Sequence, residues 1–99
     1  MTILVKIHDN GKSKLIAVCD SECIGKIYSE GDLRIDIKDG FYGGDSIDEV
    51  NFDSVFEGEV SSINVFGKDS IDFFEKKCLI NEDEIKEIQG IPFAIIIMM

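Results

Sequence analysis

The side chains able to do nucleophilic, general-base or soft-metal chemistry are few: Cys19, Cys23, Cys78 and the single histidine, His8. Cys19-x3-Cys23 has the spacing of half a zinc site, and Cys78 with His8 would complete a Cys3His set. The elements that must position these residues oppose it. Residues 2–8 and 13–19 are strand-like and flank Asn10-Gly11, a two-residue hairpin signal. In the register this turn implies, Ile7 faces Lys14, Val5 faces Ile16 and Ile3 faces Val18, all on one apolar face. His8 then sits beside the turn and Cys19 at the far end of the partner strand, roughly 20 Å away at ~3.3 Å per residue. That distance excludes a shared zinc ion and equally a Cys–His nucleophile pair. Asp20 beside Cys19 raises the thiol pKa instead of activating it. The expectation is no metal and no cofactor, with the cysteines as buried structural thiols and His8 as an exposed hairpin residue.

The segment Phe41-Tyr42-Gly43-Gly44-Asp45 is the best candidate for a contact site. Two glycines allow positive φ and close backbone approach, and Ser46-Ile47-Asp48-Glu49 is a capping-box pattern that should open a helix to about Phe56. Free amides at that start could hold an anion, but Asp45, Asp48 and Glu49 already occupy it and would repel a phosphate. The spacing of Asp45, Asp48, Glu49 and Asp53 is not that of a calcium loop. A tight strand-to-helix turn is expected here, anchored by Phe41 and Tyr42. Together with Lys26 and Tyr28 it makes up the candidate ligand- or partner-binding site.

Charge narrows the partners. Twenty acids against ten bases give −10, and from Asp39 to Gly67 there are seven acids and no Lys or Arg. Free DNA binding is not expected from such a chain, which has a single arginine, Arg34. Residues 1–26 differ, with four lysines against three acids. Lys6, Lys12 and Lys14 therefore form a mildly basic hairpin, a candidate docking surface on an acidic body. The N-terminus has no signal-peptide pattern, and the longest apolar stretch, Ile91 to Met99, is about half of the ~20 residues a membrane helix needs. An odd cysteine count points to a reduced, cytoplasmic setting.

Ninety-nine residues, 44% of them hydrophobic, make one domain spanning 1–99. Asp20-Ser21-Glu22 offers an N-cap for a short helical turn closed by Gly25. A second hairpin is expected over Lys26 to Ser29 and Asp32 to Lys38, around Glu30-Gly31. Ser62 to Phe66 reads as a strand, and Gly67-Asp69 leads into a helix through about Cys78 with Ile71, Phe74 and Cys78 on one face. Ile85 to Ile88 and Ile91 to Met99 read as strands, the latter buried on both faces. The run strand–helix–strand is long enough for a crossover connection. The fold class is α+β: N-terminal β-hairpins with two helices and a C-terminal strand–helix–strand unit on a mixed sheet.

Ile16-Ala17-Val18-Cys19-Asp20, Gly25-Lys26, Glu30-Gly31 and Phe41-Tyr42-Gly43-Gly44, with Ile63-Asn64-Val65-Phe66-Gly67 and Gly90-Ile91-Pro92 with Ala94, resemble a small archaeal family, domain-of-unknown-function family 424. The resemblance spans about residues 3–95 and implies a cytoplasmic archaeal protein with a compact α+β fold and no established activity, from a family loosely associated with translation-related gene neighbourhoods. Relatives commonly carry Pro-His-Ala-Gln where this chain has Pro92-Phe93-Ala94-Ile95, so any chemistry done by that His and Gln is missing here. Relatives usually have an aliphatic residue in place of Cys23, so Cys19 and Cys23 are not a family pair.

Two functional readings follow. The first is a non-catalytic binding or adaptor module in a protein or ribonucleoprotein assembly, contacting its partner through the hairpin lysines and the Phe41–Asp45 loop. The second is a small enzyme or ligand-binding protein whose pocket forms where Gly43-Gly44 meets Lys26 and Tyr28. Pairing of the C-terminal strand with a second copy would add a homodimer, if that strand lies at a sheet edge.

Overall fold

The structure, a computed structural model, describes residues 2–98. The first hairpin forms from β1 (Ile3–Asp9) and β2 (Lys14–Asp20), but in a register two residues away from the expected one. Ile7 faces Ile16, Val5 faces Val18 and Ile3 faces Asp20. The side chains at the turn explain the shift. Asn10 Oδ1 accepts from the amides of Lys12 and Ser13, and Asp9 Oδ1 accepts from that of Gly11, so the chain closes as a four-residue loop. A shift of two keeps every side chain on its expected face.

The second hairpin, β3 (Ile27–Glu30) and β4 (Leu33–Asp36), turns at Gly31-Asp32 and stands as a separate two-stranded sheet. After it come one helical turn, α1 (Asp39–Tyr42), and a two-residue strand, β5 (Asp45–Ser46), that pairs with β1. The single helix expected from Ser46 to about Phe56 is two pieces: a 3₁₀ turn over Ile47–Glu49 and α2 (Phe52–Val55). Extended backbone at Val50 and Asn51 separates them, and each piece has its own cap, Ser46 and Asn51.

The main sheet runs β5-β1-β2-β6-β8-β7, with β6 at Val60–Phe66, β7 at Lys86–Ile88 and β8 at Ile91–Ile97. Its centre is the parallel pair β2–β6. Between β6 and β7 lies α3 (Lys68–Lys76), and β8 pairs antiparallel with both strands. β7 is therefore parallel to β6 but one position removed, and β8 occupies the gap. The strand–helix–strand crossover is present, yet the two strands it joins do not touch.

One face of the sheet carries Val5, Ile16, Val18, Ile63, Val65 and Ala94 beneath Ile47, Val55, Ile71 and Phe74. The other carries Ala17, Cys19, Phe66, Ile88 and Phe93 beneath Cys23, Ile37 and Tyr42. Each large side chain fully buried this way contributes roughly 1.5–3 kcal/mol, which is why a chain with two thin cores can hold together. Two expectations fail at the C-terminal end. Cys78 is exposed, because α3 ends at Lys76 and Cys78 takes a left-handed conformation (φ 60) in the reversal that follows. There Leu79 N donates to Phe74 O and Cys78 N to Glu75 O. Nor is β8 buried on both faces: Ile95 is 61% and Ile97 72% exposed, since the covering hairpin ends before them. Met99, the expected end of that strand, lies outside the described residues.

Candidate functional site

The glycine pair is explained by backbone packing. A Cβ on Gly44 would meet the Val5 carbonyl oxygen at 2.0 Å, and one on Gly43 would meet the Asp39 carboxylate at the same distance. Only hydrogen in place of a side chain lets β5 close onto β1. Phe41 and Tyr42 belong to the α1 turn, not to a strand entering a helix, and a two-residue strand follows instead of a helix start. Gly43, Gly44, Asp45 and Lys6 share a depression of about 450 Å³ with Val5, Ile7 and Val50. Lys26 and Tyr28 line a different one, about 350 Å³, with Cys23, Lys68, Gly90 and Pro92. The pocket expected where these two groups meet is thus two separate depressions.

His8 is half-buried, a correction to the exposed position expected for it. Its Nε2 lies 2.8 Å from the Phe41 carbonyl oxygen and its ring stacks on Phe41 with centroids 4.7 Å apart. It fastens α1 to β1. The hairpin lysines do not form one basic face. Lys12 and Lys14 line a shallow groove with Glu57 and Glu59, while Lys6 faces the Gly43-Gly44 depression.

Cys19 and Cys23 are buried, as expected, and their chemistry is suppressed. Burial pushes the Cys19 thiol up to about 12, with Cys23 and Asp20 adding to it. Burial also raises Cys23, against a hydrogen bond from Tyr28 that pulls it down. The Tyr42 hydroxyl rises to about 12, mainly through burial and next through Cys19, with a hydrogen bond to Asn64 opposing. Tyr28 rises too, from burial and from its bond with Cys23. Every one of these shifts holds a proton more tightly, the reverse of what a nucleophile or base at neutral pH requires.

Asp20, Glu22 and Asp69 bring carboxylate oxygens within 4.8 Å of one another. Their arrangement follows from helix capping. Asp20 Oδ1 accepts from Ser70 N at 2.8 Å and from Ser70 Oγ at 2.7 Å, and Oδ2 accepts from Asp69 N at 3.1 Å. Asp20 was expected to cap the adjacent turn, Ser21–Cys23, where it makes no side-chain bond; it caps α3, fifty positions on. Gly67 is required beneath it, since a Cβ there would meet the carboxylate at 2.4 Å at a φ of 112. Nothing local in the sequence joins Asp20 to Ser70. The same holds for Glu30, whose Oε1 accepts from Gln89 N at 2.8 Å and clamps the turn between β7 and β8.

The sequence matches the family described as "Protein of unknown function (DUF424)" over residues 7–99. The chain belongs to the DUF424 family. It is also similar to a crystal structure described as an uncharacterized conserved protein from Methanopyrus kandleri, at 25% identity and a TM-score of 0.75, covering 100% of this chain and 95% of that one. No curated protein matches it. The residues that carry the DUF424 resemblance now have physical roles. Asp20 and Gly67 form the α3 cap, Glu30 clamps the turn containing Gly90, and Gly43-Gly44 close β5 onto β1. Two of these contacts meet at the 350 Å³ depression, whose lining includes Asp20, Gly67 and Gly90. Phe93 and Ile95 lie on one sheet face two residues apart. Phe93 is buried against Phe66, with centroids 6.0 Å apart, and Ile95 is exposed.

Proposed function

We propose that the protein is a non-catalytic binding module, an adaptor that joins a cytoplasmic protein or ribonucleoprotein assembly, with the translation apparatus the first assembly to test. The observation that carries this reading is the uncovered end of the second sheet face. Ile95 and Ile97 stand 61% and 72% exposed in a chain with abundant charge elsewhere, and Met98 beside them is 48% exposed. Adjacent exposed apolar side chains of this kind are the usual mark of a contact surface. The suppressed thiols and phenols and the structural engagement of His8 support binding over catalysis. No helix among the described residues is long and apolar enough to cross a membrane.

The test is capture by the tagged protein from an extract of its own cells, at ~50 and ~200 mM salt, with and without nuclease. Ribosomal or translation-factor components identified by mass spectrometry support the reading, and their loss on nuclease treatment places RNA in the contact. A bait that captures nothing at either salt overturns it.

A further inference from the structure

We propose that the outer edge of β8 at Ile95–Ile97 is a strand-addition site for an extended segment of a partner protein in which apolar residues alternate with Lys or Arg. This rests on the binding-module reading and names the chemistry of the occupant.

Three observations lead to it. The first is backbone direction. Met98 N donates to Ser61 O and Gly67 N donates to Pro92 O, each at 2.9 Å, so the even-numbered residues of β8 turn their backbone groups toward β6. By antiparallel alternation Ile91, Phe93, Ile95 and Ile97 turn theirs outward. β7 pairs with β8 only from Ile91 to Phe93, which leaves Ile95 and Ile97 with no strand partner on that side among the described residues. The second is the strand's own sequence. Edge strands of monomers are blunted by charge, proline, a bulge or a covering loop; Ala94 to Met98 carries no charge, no proline and no break in pairing through Ile97, and its neighbour beyond the start of β7 is a short 3₁₀ turn that leaves Ile95 and Ile97 exposed. The third is charge. The 3₁₀ turn Glu82–Glu84 packs beside β8, and Glu75, Glu82 and Glu87 line a groove of about 400 Å³ there with Ile85. A second copy would bring the same acids against these, so the edge disfavours self-pairing. A basic-apolar strand satisfies the free backbone groups, covers Ile95 and Ile97, and sets its cations on the glutamates.

The probe is a fluorescein-labelled peptide of about ten residues alternating valine and lysine, with a valine–glutamate peptide as control, titrated against the full chain by fluorescence anisotropy. Saturable binding of the lysine peptide alone is expected, weakened by salt. Ile95→Pro removes an outward N–H while leaving the ladder to β6 intact, and should weaken binding at least about tenfold. Glu82→Lys with Glu87→Lys changes exposed side chains only and should transfer the preference to the glutamate peptide, a test that stands even if the proline variant does not fold. Equal binding by wild type and both variants, or no binding of either peptide, overturns the proposal. So does a dimer in sedimentation velocity that Ile95→Pro dissociates, since a second copy then holds the edge. If wild type and a folded Ile95→Pro capture the same components from extract, the edge proposal fails while the adaptor reading stands. If wild type captures nothing, the adaptor reading itself has failed.

Discussion

Asp20 is a buried carboxylate whose three hydrogen bonds all run to the first turn of a helix fifty positions away. Those donors would otherwise be orphaned in a buried place, so the cap stabilises both α3 and its docking on the sheet. Asp20→Ala should cost about 2–3 kcal/mol in urea denaturation, because it removes charge-assisted bonds and leaves Ser70 Oγ without an acceptor. A loss below about 0.5 kcal/mol would show that the α3 amides find other partners. Cys78 presents the opposite case. It holds the left-handed position that glycine usually fills at a helix end, with no burial to offset the strain. Cys78→Gly should raise stability by about 1 kcal/mol, read from the same denaturation midpoints. No gain would mean that the extra freedom of glycine in the unfolded chain cancels the relief.

Among the elements, the covering hairpin β3–β4 is the least anchored by pairing, since it forms no ladder with the main sheet. Its fixed points are apolar contacts, among them Tyr28 against Phe66 with centroids 5.1 Å apart, and the Glu30–Gln89 bond. That bond also holds the tight turn in which Gln89 and Gly90 both take positive φ. Glu30→Ala should lower stability by about 1 kcal/mol and speed amide exchange at Gln89, while Glu30→Gln keeps an acceptor and most of the protection. Unchanged exchange at Gln89 in the alanine variant would show that the turn holds without its clamp. The helix expected over 46–56 illustrates a general difficulty. The capping pattern at Ser46 is real, but Val50 and Asn51 adopt extended backbone so that Ile47 and Phe52 can both reach the core. Packing of two apolar groups overrode a local start signal.

At the level of the molecule, the layer under the hairpin holds four titratable groups with raised pKa values: Cys19, Cys23, Tyr28 and Tyr42. The unfolded chain releases thiol protons near pH 9.0 and phenol protons near 10.0, whereas the folded state keeps those of Cys19 and Tyr42 to about 12. Above pH 9.0 the unfolded state therefore binds fewer protons, and stability falls as pH rises toward about 12. Thermal midpoints across that range should decline, with a shallower slope in Cys19→Ala. A flat profile would mean that the layer opens to water without unfolding. In the strand-addition proposal the acidic turn beside β8 acts at the same scale, biasing the open edge against another copy of the chain and toward a cationic strand.

Local chemistry in the sequence was enough to specify the class of fold, the first hairpin and its apolar faces, the apolar side of α3 and the burial of Cys19 and Cys23, because alternation and helical spacing act over a few residues. The family resemblance was legible in the same way, from short motifs in order. The hairpin register was not, because it turned on which amides Asp9 and Asn10 would bond. Nor were the contacts of His8 with Phe41, Asp20 with Ser70 and Glu30 with Gln89, nor the insertion of β8 between β6 and β7. Those depend on segments brought together from across the chain, where sequence distance sets no preference and packing of the two cores makes the choice. The open edge at Ile95 and Ile97 belongs with them: an apolar strand reads as buried until the length of β7 and the reach of the covering hairpin show where its cover ends.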